Sequence, residues 1–183
     1  PGRLNVLADG LSRSRSLPTE WELNPEVFQE LLLRFPHMEI DLFATRFNAK
    51  LPHFVSPVPD PLALSMDGLS YEWLHRDLYA FPPFPLVTKV LQKVLTVECD
   101  MTLITLLRWN RSSTTLLPSL LVEIPICLPR RQGLLLQRDP ALRHPELQAL
   151  SLHACRLSSR SSRKKSSLLP SWIASQATEG QEL

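Results

Sequence analysis

Glycine is scarce in this chain, and its scarcity limits the kinds of site that the sequence can form. Five glycines stand against seventeen prolines among 183 residues. None occurs between Gly10 and Gly68, so the first predicted strand is not followed by a G-x-G loop of the kind that approaches a ligand closely. The many prolines instead predict short elements joined by extended segments.

Cysteine pairs, histidine pairs and long apolar runs are also missing. Cys99, Cys127 and Cys155 form no C-x-x-C pair, and the five histidines show no ligand spacing, which argues against a disulfide framework and a metal site. No run approaches the roughly 18 apolar residues that a membrane span requires. We therefore expect an intracellular protein, nuclear or cytoplasmic, with no membrane partner.

One basic segment contains no acidic residue. The whole chain carries a net charge of +2, from 20 basic and 18 acidic residues. These numbers are too nearly equal for the chain as a whole to attract nucleic acid through its charge. Between Arg156 and Glu179, however, no acid occurs. The candidate phosphate contacts in this segment are Arg160, Arg163, Lys164 and Lys165. The competing interpretation is a solvated linker, because no aromatic residue is interleaved for base stacking.

Two helices are predicted from capping chemistry and apolar spacing. Asn24 can cap a first helix, Pro25 suits its first position, and Glu26 favours its positive end. Apolar residues then recur at helical spacing until Pro36. A second, amphipathic helix is predicted over Leu86–Leu95, with lysine and glutamine on its other face.

The remaining pattern predicts a small, incomplete Rossmann-like α/β fold with a mostly parallel sheet and flexible tails at both ends. Strands are predicted at "EIDLFAT" (Glu39–Thr45), "DLYA", "MTLITLL" and "IPICLP". "TLLPSLLVE" predicts a short helix interrupted by Pro118, and "PELQALSLHA" another short helix. The prolines between Asn48 and Leu69 predict a long irregular loop.

The motif "YAFPPFPLV" is the most specific chemical pattern, because it follows a strand at the edge where α/β sheets bind ligands. Pro82, Pro83 and Phe84 match the last three positions of the D/N-P-P-Y/F signature of amino-group methyltransferases. In that signature the first side chain accepts a hydrogen bond from the target amine, and the aromatic ring stacks on the flipped base. Phe81 occupies the acceptor position, and a phenyl ring cannot accept that bond, so we expect methyl transfer to be lost.

Several motifs together resemble one family. "NVLADGLSR" resembles the closing motif of the RNase H domain in retroelement polyproteins. The region that follows it in DIRS-type, tyrosine-recombinase retrotransposons resembles three segments, "EWELNPEVFQELLLRFPHMEIDLFATRFNAKLPHFVSPVPDPLAL", "LYAFPPFPLVTKVLQKV" and "HPELQALSLHACRLS". That region is similar to phage-type Dam methyltransferases. The resemblance covers residues 3 to 158 in order.

The resemblance implies domains and residue roles. Residues 1–20 match an RNase H end and linker, 21–130 a degenerate methyltransferase-like domain, and 131–183 an Arg/Ser-rich linker and tail. Asp9 matches the last carboxylate of the RNase H metal site, but two-metal cleavage needs several carboxylates, so no metal is expected here. Asp41 is the candidate contact for S-adenosylmethionine, if the pocket is intact; otherwise we expect no cofactor.

Three functions stay open on the sequence. The leading hypothesis is a fragment of a retrotransposon reverse transcriptase/RNase H polyprotein, without catalytic activity alone and with DNA or an RNA–DNA hybrid as the partner of its parent. The second is an active DNA adenine-N6 methyltransferase. The third is a non-catalytic nucleic-acid-binding module. The oligomeric state stays open.

Overall fold

The computed structural model describes residues 21–107, 116–137, 151–160, 165–166 and 169–179. The helices in these residues are α1 (Pro25–Arg34), α2 (Val87–Thr96), α3 (Leu117–Leu120) and α4 (Leu169–Glu179). The strands are β1 (Glu22–Leu23), β2 (Ile40–Asp41), β3 (His53–Phe54), β4 (Asp77–Ala80), β5 (Asp100–Leu106), β6 (Ile126–Cys127), β7 (Leu135–Leu136) and β8 (Leu152–Ser158). A single 3₁₀ turn, Phe84–Leu86, precedes α2.

The main sheet has the strand order β3-β2-β4-β5-β8-β6. The pairs β2–β3, β2–β4 and β4–β5 are parallel, whereas β8 runs antiparallel to both β5 and β6. The predicted α/β fold with a mostly parallel sheet is therefore confirmed. After β2 the chain runs to β3 on one side of it and then crosses to β4 on the other side. This change of direction opens a crevice at the carboxyl ends of β2 and β4.

Alternating side chains of the strands build a hydrophobic core on each face of the sheet. On one face, Leu78 and Ala80 of β4 pack in the cluster that contains the buried side of α2. On the other face, Tyr79 packs with α1, and its ring meets Phe28 edge-on at 5.0 Å between centroids. The period of two along each strand explains this division. The sheet is thus covered by helices on both faces.

Helix α1 begins with the predicted capping chemistry. The Asn24 side-chain oxygen accepts from the backbone N–H of Glu26 at 2.8 Å, with Pro25 in the first turn. The Asn24 amide also donates to the carbonyl of Gly133 at 2.9 Å. The Asn24 side chain therefore pairs with a free N–H at the helix N-terminus and also links that end of the helix to the segment before β7.

The region Asn48–Leu69 contains more regular structure than its prolines predict. β3 lies inside it and pairs in parallel with β2, and Ser56 and Met66 form a further parallel bridge. The prediction of a wholly irregular loop is wrong, because β3 is the edge strand of the sheet, where flanking prolines such as Pro52 and Pro57 remove no ladder hydrogen bond.

Other predicted boundaries also change. Pro118 lies in the first turn of α3 and does not interrupt a helix, because the first turn needs no N–H donor there. The last residues of "PELQALSLHA" belong to β8 and not to a helix; residues 145–150 lie outside the described part of the chain. Within the described residues, no helix is both long and apolar enough to cross a bilayer.

The predicted domain boundary at residue 130 does not mark the end of the sheet. β7, β8 and α4 all lie within the predicted linker and tail, and β8 pairs with β5 over seven residues. Leu169 of α4 is buried in the core on the α2 face. β8 is buried along almost its whole length: Leu152 and Ala154 pack in the core on the α1 face, and Cys155 and Leu157 in the core on the α2 face. Residues 1–20 lie outside the described ranges.

Arg156 is a basic residue in the buried strand β8, where it forms an ion pair with Asp77. Its side chain is 4% exposed, and its two terminal nitrogens bond the carboxylate of Asp77 at 2.7 and 2.5 Å. One of these nitrogens also donates to the hydroxyl of Thr102 at 3.1 Å. The guanidinium carbon lies 5.3 Å from the ring centroid of Phe35. This bidentate pair connects β8 to β4 across β5.

We predict that Arg156→Met lowers the free energy of unfolding by about 3–5 kcal/mol, because it leaves the Asp77 carboxylate buried without its cation. Urea denaturation measures this change. Arg34→Met is the matched control: its pair with Glu123 is at the surface, so it should cost less than about 1 kcal/mol. Equal costs at the two positions would contradict the role of Arg156.

Candidate functional site

A cavity of about 580 Å³ opens at the carboxyl ends of β2 and β4. This is the crevice that the strand order creates, and its volume is typical of a small-molecule site. The structure brings Phe81, Pro82, Pro83 and Phe84 to this cavity as lining residues. A second wall comes from the segment after β2, which contributes Leu42 to Thr45.

Four aromatic side chains contribute to the lining. Trp21 precedes β1, Phe43 follows β2, and Phe81 and Phe84 follow β4. Phe84 is exposed, whereas Phe81 is partly buried and packs against the core on the α1 face. Phe81, which the sequence pattern places at the acceptor position of the motif, therefore packs against the core and also lines the cavity. The motif supplies aromatic surface to the cavity, but no side-chain oxygen.

The start of α2 reaches the cavity with few hydrogen-bond donors. Pro82, Pro83 and Pro85 have no backbone N–H. The N–H of Leu86 donates to the carbonyl of Pro83 at 2.8 Å, and that of Val87 donates to Phe84. A helix N-terminus normally offers such donors to anions. In the segment that leads into α2, the three prolines and the 3₁₀ turn leave few free N–H donors.

Gly68 supplies the close backbone approach that the sequence lacks after the first strand. A Cβ atom at this position would lie 2.2 Å from the carbonyl oxygen of Leu42. The carbonyl of Gly68 in turn accepts from the indole N–H of Trp73 at 2.8 Å. The sequence pattern did not identify Gly68, because a glycine was expected directly after β2. Gly68 instead lies in the connection between β3 and β4.

Asp41 lies beside the main cavity rather than in its lining. Its carboxylate accepts from the backbone N–H of Lys50 at 3.0 Å and, more weakly, from that of Phe43 at 3.5 Å. It faces a small recess of about 10 Å³. Burial raises the pKa of Asp41 to about 6, against the lowering effect of these bonds. Through these two hydrogen bonds, Asp41 holds the segment after β2 in place.

The recess beside Asp41 holds other polar groups. Lys50 pairs with Glu22 at 2.8 Å. The Tyr79 hydroxyl is buried and has no hydrogen-bond partner among the described residues, and burial raises its pKa. Asp41 and Tyr79 are register neighbours on adjacent strands. The polar groups therefore lie on the α1 face, under the wall that Trp21 forms.

Neither Arg160 nor Lys165, the two predicted basic residues that the structure describes, lines the cavity. Arg160 follows β8, whose end is paired with the start of β5, and so it lies at the opposite edge of the sheet. Its side chain approaches Asp100 at 3.6 Å, and Lys165 donates to the carbonyl of Ser119 at 2.5 Å. The other predicted residues of this group, Arg163 and Lys164, lie outside the described residues, as does Asp9.

Metal-ligating clusters and known relatives give no further assignment. Within the described ranges, no three His, Cys, Asp or Glu side chains are grouped so that they could hold a metal ion. No protein-family model matches the chain, and no curated protein matches it significantly. The cavity and its lining are therefore the features from which a function can be argued.

We predict that Gly68→Ala lowers the free energy of unfolding by about 2–3 kcal/mol, because the added Cβ collides with the Leu42 carbonyl. Thermal or urea unfolding measures it. Gly133→Asn is the control, since Gly133 has φ +84° and open space around it. Asparagine tolerates positive φ, so that change should be nearly neutral. A neutral Gly68→Ala would show that the two segments can separate freely.

We predict that Asp41 makes stability fall as the pH rises from about 4 to about 6. Its pKa is higher in the folded state, so the folded protein binds the extra proton in this interval. The contribution is present below pH 4 and is lost above pH 6, with a size of up to about 3 kcal/mol. Comparing urea unfolding of the wild type and Asp41→Asn across this range isolates it. Parallel pH profiles would contradict the assignment.

Proposed function

We propose that this chain is the degenerate methyltransferase-like part of a DIRS-type retrotransposon polyprotein, and that its cavity binds an adenine nucleoside such as S-adenosylmethionine without transferring the methyl group. The observation that carries the proposal is the position of "FPPF". It lines a 580 Å³ cavity at the carboxyl ends of two parallel strands, with Phe81 in the acceptor position.

The cavity has the dimensions and the surface for binding. Its volume lies in the range of small-molecule sites. Phe84 offers an exposed ring for stacking, and Thr45 and Asn48 provide polar groups on the facing wall. The contact between Gly68 and Leu42 fixes the backbone beside that wall. These features support retention of a ligand site.

The same residues argue against methyl transfer. An amine nitrogen attacks the methyl donor more readily when acceptors hold its hydrogens and direct its lone pair. Backbone carbonyls can supply one acceptor, but Phe81 removes the side-chain oxygen. Loss of one group that acts in the transition state typically costs about 100-fold or more in rate. The proposed ancestor was therefore an enzyme, whereas this chain is a binding module.

The nucleic-acid hypothesis receives less support from the fold. It required one surface made from the cavity and the basic tail, but Arg160 lies at the opposite edge of the sheet and contacts Asp100. We propose that contact with DNA or an RNA–DNA hybrid belongs to other parts of the parent polyprotein. RNase H cleavage by this chain is not proposed, because Asp9 alone cannot hold two cations.

We predict that the wild type binds S-adenosylmethionine in calorimetry but transfers no methyl group to adenine in DNA. Phe81→Asn restores the acceptor and should produce measurable transfer of a labelled methyl group. Phe47→Asn, an exposed phenylalanine outside the cavity lining, is the control and should stay inactive. Transfer by the wild type would contradict loss of catalysis, and absence of binding would contradict the ligand site.

A further inference from the structure

The cavity combines aromatic walls with a single negative charge. Trp21, Phe43, Phe81 and Phe84 come from three separate segments of the chain. Asp67, at the mouth, is the one charged residue that the described part of the chain contributes to the lining. Lys50 lies in the neighbouring recess and is paired with Glu22. An aromatic enclosure with one carboxylate favours a cation, because the face of each ring is electronegative.

The hydrogen bonds around Asp67 favour the ionised form of its carboxylate. The Ser70 hydroxyl donates to it at 2.6 Å and the Leu69 N–H at 3.0 Å, and these bonds hold its pKa below the usual range. Lys93 and Lys89 are the cations that act on Asp67, and the ammonium of Lys93 donates to the carbonyls of Leu69 and Tyr71 at 2.6 Å. Within the described residues, Asp67 forms no ion pair within 4.0 Å, and its oxygens retain further lone pairs.

Apart from Asp67, the lining offers few free hydrogen-bonding groups. Pro82, Pro83 and Pro85 remove donors at the start of α2. The Asn48 carbonyl oxygen is occupied by the N–H and hydroxyl of Thr45 at 2.7 and 3.1 Å. Away from Asp67, a primary ammonium would lose its water with few acceptors in return. An alkylated ammonium has no such requirement, since its methyl groups contact the rings directly.

We propose that the aromatic cavity is a binding site for a trimethylammonium group, carried either by a methylated lysine in a peptide or by a small molecule such as choline. This inference goes beyond the proposed function and uses Phe81 in a new way. The ring that removes the amine acceptor also adds a fourth aromatic wall. Loss of methyl transfer and gain of cation binding would then follow from the same residue.

Isothermal titration of the full chain tests the proposal with choline and its neutral isostere 3,3-dimethylbutan-1-ol. We expect choline to bind about tenfold or more tightly than the isostere, because only the cation interacts with the rings and Asp67. Equal affinity for the two compounds, or no measurable binding of choline, would overturn the proposal. A trimethyllysine peptide that binds more tightly than choline identifies a peptide as the source, and the reverse order identifies a small molecule.

Matched variants locate the binding site. Phe84→Leu keeps apolar bulk but removes a ring face, and Asp67→Asn keeps a residue that tolerates φ +69° but removes the charge. Each should weaken choline binding by about 3- to 30-fold. Phe47→Leu and Glu30→Gln lie outside the lining and should leave binding unchanged. Unaltered affinity in both cavity variants would overturn the proposal.

Folding and function can be separated in these experiments. Circular dichroism of each variant shows whether the fold is retained, and Phe81→Leu provides a second ring deletion if Phe84→Leu does not fold. Methyl transfer by the wild type would contradict the proposed function and leave the preference for a cation intact. Equal binding of choline and its isostere would reject the cation site and leave S-adenosylmethionine binding unaffected.

Discussion

The buried pair between Arg156 and Asp77 is the interaction on which the sheet depends. These residues are 79 positions apart, and their side chains meet across β5 with Thr102 between them. Such a pair is costly to bury, and breaking it leaves an uncompensated charge in the core. It therefore fixes the place of β8 beside β5. With the sheet in register, β2 and β4 are held side by side and the crevice at their carboxyl ends keeps its shape.

That crevice is lined by segments that need little regular structure themselves. β2 and β3 contain two residues each, and the wall after β2 is held by Asp41, which accepts backbone bonds, and by the close approach of Gly68 to Leu42. At this wall, the hydrogen bonds to the buried Asp41 carboxylate take the place of the backbone hydrogen bonds that longer strands would form. The cost appears as a raised pKa of Asp41. The wall of the cavity is thus positioned by tertiary contacts and not by long strands.

The chemistry of the cavity follows from the residues that line it. Phe81 brings an aromatic ring to the end of β4, and the two prolines after it lack N–H donors. The lining also contains one carboxylate, that of Asp67. These groups suit binding through ring faces and charge rather than through directed hydrogen bonds. The described cavity has the volume of a small-molecule site.

Local patterns in the sequence determined α1, α2, β4 and β5, because capping and apolar periodicity act between residues that are close along the chain. They also placed "FPPF" after a strand. Only the tertiary structure decided that β8 joins the sheet, that Arg156 is buried, and that Gly68 supplies the close contact. Each of these depends on a partner distant in the sequence, and a basic residue or a lone glycine is ordinary until its partner lies beside it.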